Sequence, residues 1–187
     1  MFLNRVFLTG WHGIGSAETD EFPDMKRLFA YSLVIFCLFS CIKDKPLGAE
    51  LAVGDRIPDF VVTMNDGTEV SGEDLREGVS VIMFFTTGCP DCRQTLPEIQ
   101  KLYDEYLPQG VHFALISREE GAETIGCFWE EQGLTMPYSA QRDRSVYELF
   151  AKTRVPRVYI TEWGTIKSIF TDIPETPSYE AMKEAVR

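Results

Sequence analysis

The residues of this sequence best suited to chemistry are two cysteines, Cys89 and Cys92, separated by the dipeptide Pro-Asp. A thiol pair at this spacing can close into a disulfide, or it can supply two of the four ligands of a zinc site. His12 and His112 are isolated from each other, and the sequence has no second cysteine pair at this spacing. The motif therefore favours redox chemistry over metal binding.

The segments on either side of this pair predict a strand followed by a helix. Residues 81–85 form an apolar run between two glycines, which is typical of a strand buried on both faces. From Leu96 to Leu107, apolar residues recur at steps of three and four, which indicates an amphipathic helix. Cys89 is therefore expected at a strand-to-helix junction.

This junction would distinguish the two thiols. Pro90 suits the first helical position, where its missing N–H costs nothing. A thiolate at Cys89 would face the free N–H groups and the positive end of the helix dipole, both of which favour it. Asp91 should act in two ways, since its charge opposes a neighbouring thiolate but suits the first helical turn. We predict that Cys89 is the nucleophile and that the more shielded Cys92 resolves the mixed disulfide.

The composition is that of an acidic globular protein. Of the 187 residues, 44% are hydrophobic and 25% are charged, which suits one domain with a substantial core. The formal net charge is −11. Nucleic acid selects basic patches, so this charge argues against a nucleic-acid partner.

The N-terminal region has the pattern of an export signal. Met25 and two basic residues precede an apolar run of 12 residues, Leu28–Phe39, whereas a membrane span needs about 20. The tetrapeptide Leu-Phe-Ser-Cys ending at Cys41 resembles a bacterial lipobox, whose cysteine carries the lipid. We predict a lipoprotein signal peptide over residues 25–40 and lipidation of Cys41. An uncleaved Leu28–Phe39 anchor is the alternative.

The remaining boundaries follow from this signal. Residues 1–24 hold several acidic side chains where a signal normally begins, so we interpret them as a start assigned too early. Residues 41–52 are polar and broken by Pro46 and Gly48, which favours a tether. The folded domain is expected over residues 53–187. An exported disulfide can persist, because it lies outside the reducing cytosol.

Residues 54–170 resemble the thioredoxin-like thiol-disulfide oxidoreductases, in particular the exported bacterial TlpA/ResA/redoxin group, which is AhpC/TSA-like. The resemblance is carried by residues 53–60, by the block 84–92, by Pro97 within the helix and by Arg154-Val155-Pro156 before a late strand. It implies a thioredoxin-like three-layer α/β/α sandwich with a central mixed sheet and an N-terminal β-hairpin. It implies no prosthetic cofactor.

The resemblance also assigns a second part of the site. In similar proteins the proline that begins the late strand is cis and packs against the two sulfurs, and the backbone before it docks the substrate. Pro156 matches that proline, and Val155 would supply the docking backbone.

Three departures from the family pattern concern the surroundings of the thiols. Thr87-Gly88 replaces the usual tryptophan before the first cysteine. Met83 stands where thioredoxin has a buried acid, and Thr95 stands where ResA-like proteins have a glutamate, so the proton acceptor for Cys92 is unassigned. The acid nearest to Thr95 in the sequence is Glu98. Arg93 and Arg157 could lie near the thiolate, although solvated arginines are expected.

Other local patterns predict the rest of the fold. Asn65-Asp66-Gly67 favours a hairpin, and residues 111–116 predict a strand parallel to residues 81–85. Ser117 and Glu120 have the spacing of a capping box for a helix that ends near Gln132. Cys127 falls on that helix, and we predict a buried structural thiol.

The sequence therefore predicts a lipid-anchored thiol-disulfide oxidoreductase of the cell envelope, facing the periplasm or the cell surface, and acting as a disulfide reductase. Its partners would be exported proteins with disulfides, an upstream thiol reductant and, through the lipid, the membrane. Two alternatives remain. A peroxiredoxin-like thiol peroxidase also has a threonine three residues before its reactive cysteine, as Thr86 is here, but its upstream proline is replaced by Ile82. A non-enzymatic module could instead hold copper or zinc on Cys89 and Cys92.

Overall fold

The computed structural model describes residues 50–187; Cys41, the predicted signal peptide and most of the predicted tether lie outside these residues. The elements of the described part are β1 (Val61–Thr63), β2 (Glu69–Ser71), β3 (Val79–Phe85), α1 (Pro90–Tyr106), β4 (His112–Ser117), α2 (Ala122–Gln132), α3 (Ser145–Glu148), β5 (Arg157–Glu162), β6 (Thr165–Phe170) and α4 (Tyr179–Val186). Single 3₁₀ turns occur at Asp74–Arg76 and Leu107–Gln109.

The main sheet is mixed and has the strand order β4-β3-β5-β6. Strand β3 pairs in parallel with β4, where Met83 lies opposite Leu115, and antiparallel with β5, where Met83 lies opposite Val158. The side chains of residues 81–85 are completely buried. Parallel pairing explains why residues 81–85 are apolar without alternation, because helices joining such strands cover the sheet faces.

Neighbouring side chains of β3 show that both faces of the sheet are covered. Phe84 packs edge-on against Tyr147 of α3, whereas Phe85 packs against Trp129 of α2. Consecutive residues of a strand point to opposite faces, so α2 and α3 lie on opposite sides of the sheet. Helix α1 contacts α4, and the guanidinium of Arg93 lies over the ring of Phe128 in α2. The predicted three-layer α/β/α sandwich is therefore confirmed.

The predicted N-terminal hairpin is also confirmed. Strands β1 and β2 pair antiparallel as a separate two-stranded sheet. Gly67 has a φ of +86°, a conformation that glycine adopts readily. The Asp66 carboxylate accepts hydrogen bonds from the amide of Thr68 at 2.9 Å and from its hydroxyl at 2.7 Å. This turn chemistry accounts for the loop between the two strands.

Two predictions for the segment after β4 are wrong. Helix α2 begins at Ala122 with Gly121 as its N-cap. The Ser117 hydroxyl instead bonds the backbone of Glu120 in the turn before the helix and accepts from the Gln141 amide. Cys127 is exposed. The buried face of α2 is Ile125, Phe128 and Trp129, and Cys127 falls outside that three- and four-residue spacing.

Between residues 50 and 187, no helix is both long and apolar enough to cross a membrane.

Candidate active site

Cys89 and Cys92 lie at the start of α1, as predicted. Cys89 is the N-cap residue and has extended backbone angles, and Pro90 occupies the first turn. Cys89 is half-buried, Cys92 is fully buried, and both are free thiols. The structure thus presents one thiol of the pair to solvent and keeps the other beneath it.

The predicted docking residues adjoin the exposed thiol. The Val155–Pro156 peptide bond is cis, and the Cys89 thiol donates a hydrogen bond to the Val155 carbonyl oxygen at 3.4 Å. The hydroxyl of Tyr147, which is almost completely buried, donates to the carbonyl oxygens of Thr153 and Arg154. The loop that ends in Val155 is therefore held from the core side and brought against the dithiol.

Burial dominates the electrostatics of the inner thiol. It raises the pKa of Cys92, and the neighbouring Cys89 sulfur and Asp91 carboxylate raise it further, whereas a hydrogen bond from the Thr86 amide lowers it. Cys92 therefore remains protonated at neutral pH until a reaction step changes its surroundings. This state suits a resolving cysteine, since it cannot compete with Cys89 for the substrate.

The charged residues near the motif are engaged elsewhere. The Thr176 hydroxyl donates to Asp91 at 3.3 Å. Arg93 is exposed and stacks over Phe128. The expectation that Arg157 is solvated is wrong: it is only 6% exposed, because it begins the inner strand β5 and its guanidinium pairs with the Glu50 carboxylate.

The residues considered for the missing proton acceptor have other contacts. Met83 is completely buried in the sheet, and the Thr95 hydroxyl donates to the Asp91 carbonyl oxygen at 2.8 Å. The Glu98 carboxylate accepts from Lys101 at 2.7 Å and from the Tyr179 amide at 3.1 Å. Glu98 is thus committed to the packing of α1 against α4.

Sequence reasoning missed Glu120 as a part of the site. Its carboxylate accepts hydrogen bonds from the Thr87 amide at 2.8 Å and from the Thr87 hydroxyl at 2.6 Å. The sequence did indicate this contact, because it predicts that residues 81–85 and 111–116 form neighbouring parallel strands. Because β3 and β4 are adjacent and parallel, the residues that follow each strand meet at the same edge of the sheet.

A second carboxylate that the sequence analysis did not single out is Glu50. It accepts from the Lys152 amide at 3.0 Å, from the amide and hydroxyl of Thr153 at 3.1 and 2.9 Å, and from the guanidinium of Arg157 at 3.3 Å. These contacts, led by the Lys152 amide, lower the pKa of Glu50 from 4.5 to about 2. Glu50 thereby ties the end of the predicted tether to the loop before Val155.

This pKa predicts a pH-dependent stability. A folded-state pKa below the unfolded one means that ionised Glu50 stabilises the fold, completely above about pH 4.5 and progressively less as the pH falls toward 2. Glu50→Gln should therefore lower the free energy of unfolding at pH 7, and the difference from wild type should shrink at pH 3. Urea unfolding at the two pH values measures this. The exposed Glu73 offers the control Glu73→Gln, and an equal loss from Glu50→Gln at both pH values would contradict the prediction.

Taken together, the half-exposed thiol at a helix N-terminus, the buried partner thiol and the adjoining cis-proline define a thioredoxin-fold thiol-disulfide oxidoreductase. The sequence model of the AhpC/TSA family matches residues 53–170, and the chain belongs to that family.

Individual relatives agree with this class. The chain is 28% identical over 138 residues to the thiol-disulfide oxidoreductase ResA of Geobacillus kaustophilus, covering 73% of this chain and 79% of the relative. It is 30% identical to the ResA of Oceanobacillus iheyensis, covering 76% of each. A thiol:disulfide interchange protein of the thioredoxin family from Chlorobium tepidum has the same fold, with a TM-score of 0.61, 20% identity, and coverage of 73% of this chain and 96% of that one.

Proposed function

We propose that this oxidoreductase is exported, anchored to the membrane through Cys41, and works as a disulfide reductase on other exported proteins. The observation that carries the proposal is the pairing of the half-exposed Cys89, bonded to the Val155 carbonyl, with the fully buried Cys92. An extended substrate segment can lie along the backbone at Val155 and bring its disulfide to Cys89.

The reaction has two exchange steps. The Cys89 thiolate attacks one sulfur of the substrate disulfide, a mixed disulfide forms, and the other substrate sulfur leaves as a thiolate that takes up a proton. Cys92 then loses its proton and attacks the Cys89 sulfur, which releases the second substrate thiol and leaves a Cys89–Cys92 disulfide. The substrate is reduced by two electrons, and an upstream thiol reductant returns the protein to the dithiol.

The charges around the pair support the reducing direction. A strongly oxidising pair is one whose reduced form is stabilised. Here burial, the Cys89 sulfur and Asp91 all disfavour ionisation of Cys92. A pair whose inner thiol gains no stabilisation as a thiolate lacks one source of oxidising character, which supports the reductase direction.

Titration of the protein against glutathione buffers tests the direction. We expect a reduction potential near the reducing end of the range of about −270 to −120 mV that this fold covers. Because Cys127 is a third, exposed thiol, the variant Cys127→Ala is the matched control and should give the same potential. A value near −120 mV would remove the reductase function.

A further inference from the structure

We infer that Glu120 is a positioning residue of the dithiol site, whose carboxylate fixes the turn between β3 and α1. Both donors of one residue, the amide and the hydroxyl of Thr87, point at its two oxygens, at 2.8 and 2.6 Å. Two bonds to one carboxylate fix its orientation as well as its position, and bonds to a charged acceptor are stronger than neutral ones. Thr87 is only 8% exposed, so water competes little for this contact.

The turn that Glu120 fixes holds the backbone of the first cysteine. The Cys89 amide donates to the Thr86 carbonyl oxygen at 3.3 Å, and the Thr86 amide lowers the otherwise raised pKa of Cys92. Thr86 precedes Thr87 directly, so a shift of the Thr87 backbone displaces the Thr86 carbonyl that holds the Cys89 amide. Glu120 therefore acts on the thiols through the backbone, without touching either sulfur.

Glu120 is itself held in place. The Ser117 hydroxyl accepts from the Glu120 amide at 3.3 Å and donates to its carbonyl oxygen at 3.0 Å. The Arg118 amide donates to the Phe85 carbonyl oxygen at 2.8 Å. The ends of β3 and β4 are thus joined twice, once by backbone and once by the Glu120 carboxylate.

The test measures the rate at which iodoacetamide alkylates Cys89 as a function of pH. All variants carry Cys127→Ala, so that alkylation of the exposed Cys127 thiol does not contribute to the rate. Glu120→Ala should slow this reaction by about tenfold, the size expected for a lost hydrogen bond to a charged group, and should move the pH at which the rate is half-maximal. Thr87→Val removes one bond without changing any charge and should reproduce part of the loss. Thr87→Ser keeps the hydroxyl and should restore the wild-type profile.

Two further variants sharpen the result. The combination of Glu120→Ala with Thr87→Val should lose no more than Glu120→Ala alone, since both act through one contact. Glu119→Gln is the matched control, because the Glu119 carboxylate pairs with Arg118 and Arg144. It should leave the profile unchanged.

Two outcomes would overturn the inference. If Glu120→Ala accelerates alkylation and Thr87→Val changes nothing, Glu120 acts only as a nearby negative charge. If both variants lower the unfolding temperature but leave the pH profile and the reduction potential unchanged, the contact serves packing alone. Neither measurement needs a protein substrate, so the result is independent of the proposed reductase direction.

Discussion

Replacing Cys92 by serine should turn the protein into a covalent trap for its substrates. Cys89 still attacks the substrate disulfide, but the second exchange cannot occur, so the mixed disulfide accumulates. Turnover of a disulfide substrate should fall about a thousandfold or more, as is usual when one member of a catalytic unit is removed. Non-reducing gels followed by mass spectrometry detect the trapped partners and identify them.

The reciprocal variant provides the control. Cys89→Ser should trap few or no partners, because Cys92 is completely buried and its pKa is raised. Adding Cys127→Ala to the Cys92→Ser variant should leave the trap intact and shows that the exposed third thiol is not responsible. A Cys92→Ser protein that traps nothing but rapidly consumes peroxide through a Cys89 sulfenic acid would instead establish a thiol peroxidase.

Replacing Cys41 by alanine should release the protein from the membrane fraction. A lipid chain contributes about 0.8 kcal/mol for each buried CH₂ group, so losing it removes nearly all of the affinity for the bilayer. Fractionation of cells that express wild-type or Cys41→Ala protein measures the change. Cys37→Ala is the matched control, since Cys37 lies within the predicted signal peptide and should not affect anchoring. Unchanged retention of Cys41→Ala would favour an uncleaved Leu28–Phe39 anchor.

Local patterns were sufficient to predict the centre of the fold. The apolar run of residues 81–85, the switch to helical spacing after Gly88, and Pro90 at the helix start together predict Cys89 at the junction of strand and helix. The hairpin around Gly67 followed from turn chemistry in the same way. These features depend on neighbours in the sequence, which is why one sequence is enough to find them.

The contacts that could not be predicted join distant parts of the chain. Glu120 meets Thr87 across the edge of the sheet, and Glu50 meets Arg157 over more than half the length of the described chain. Cys127 was assigned to the core because cysteine is often buried. Which side of α2 faces the sheet, however, is decided by Ile125, Phe128 and Trp129.

If Cys41 carries a lipid, the bond between Glu50 and the loop before Val155 would also limit how far from the membrane the protein can work. Glu50, the first residue that the structure describes, bonds the loop that ends at Val155 beside Cys89. From Cys41 to Glu50 there are nine residue steps, which even fully extended span about 30 Å at most. A protein lipidated at Cys41 would therefore serve only the layer of the envelope next to its own membrane. Proteins with disulfides deeper in the envelope would have to diffuse to it. The length of the segment between Cys41 and Glu50 would therefore determine which substrates it meets.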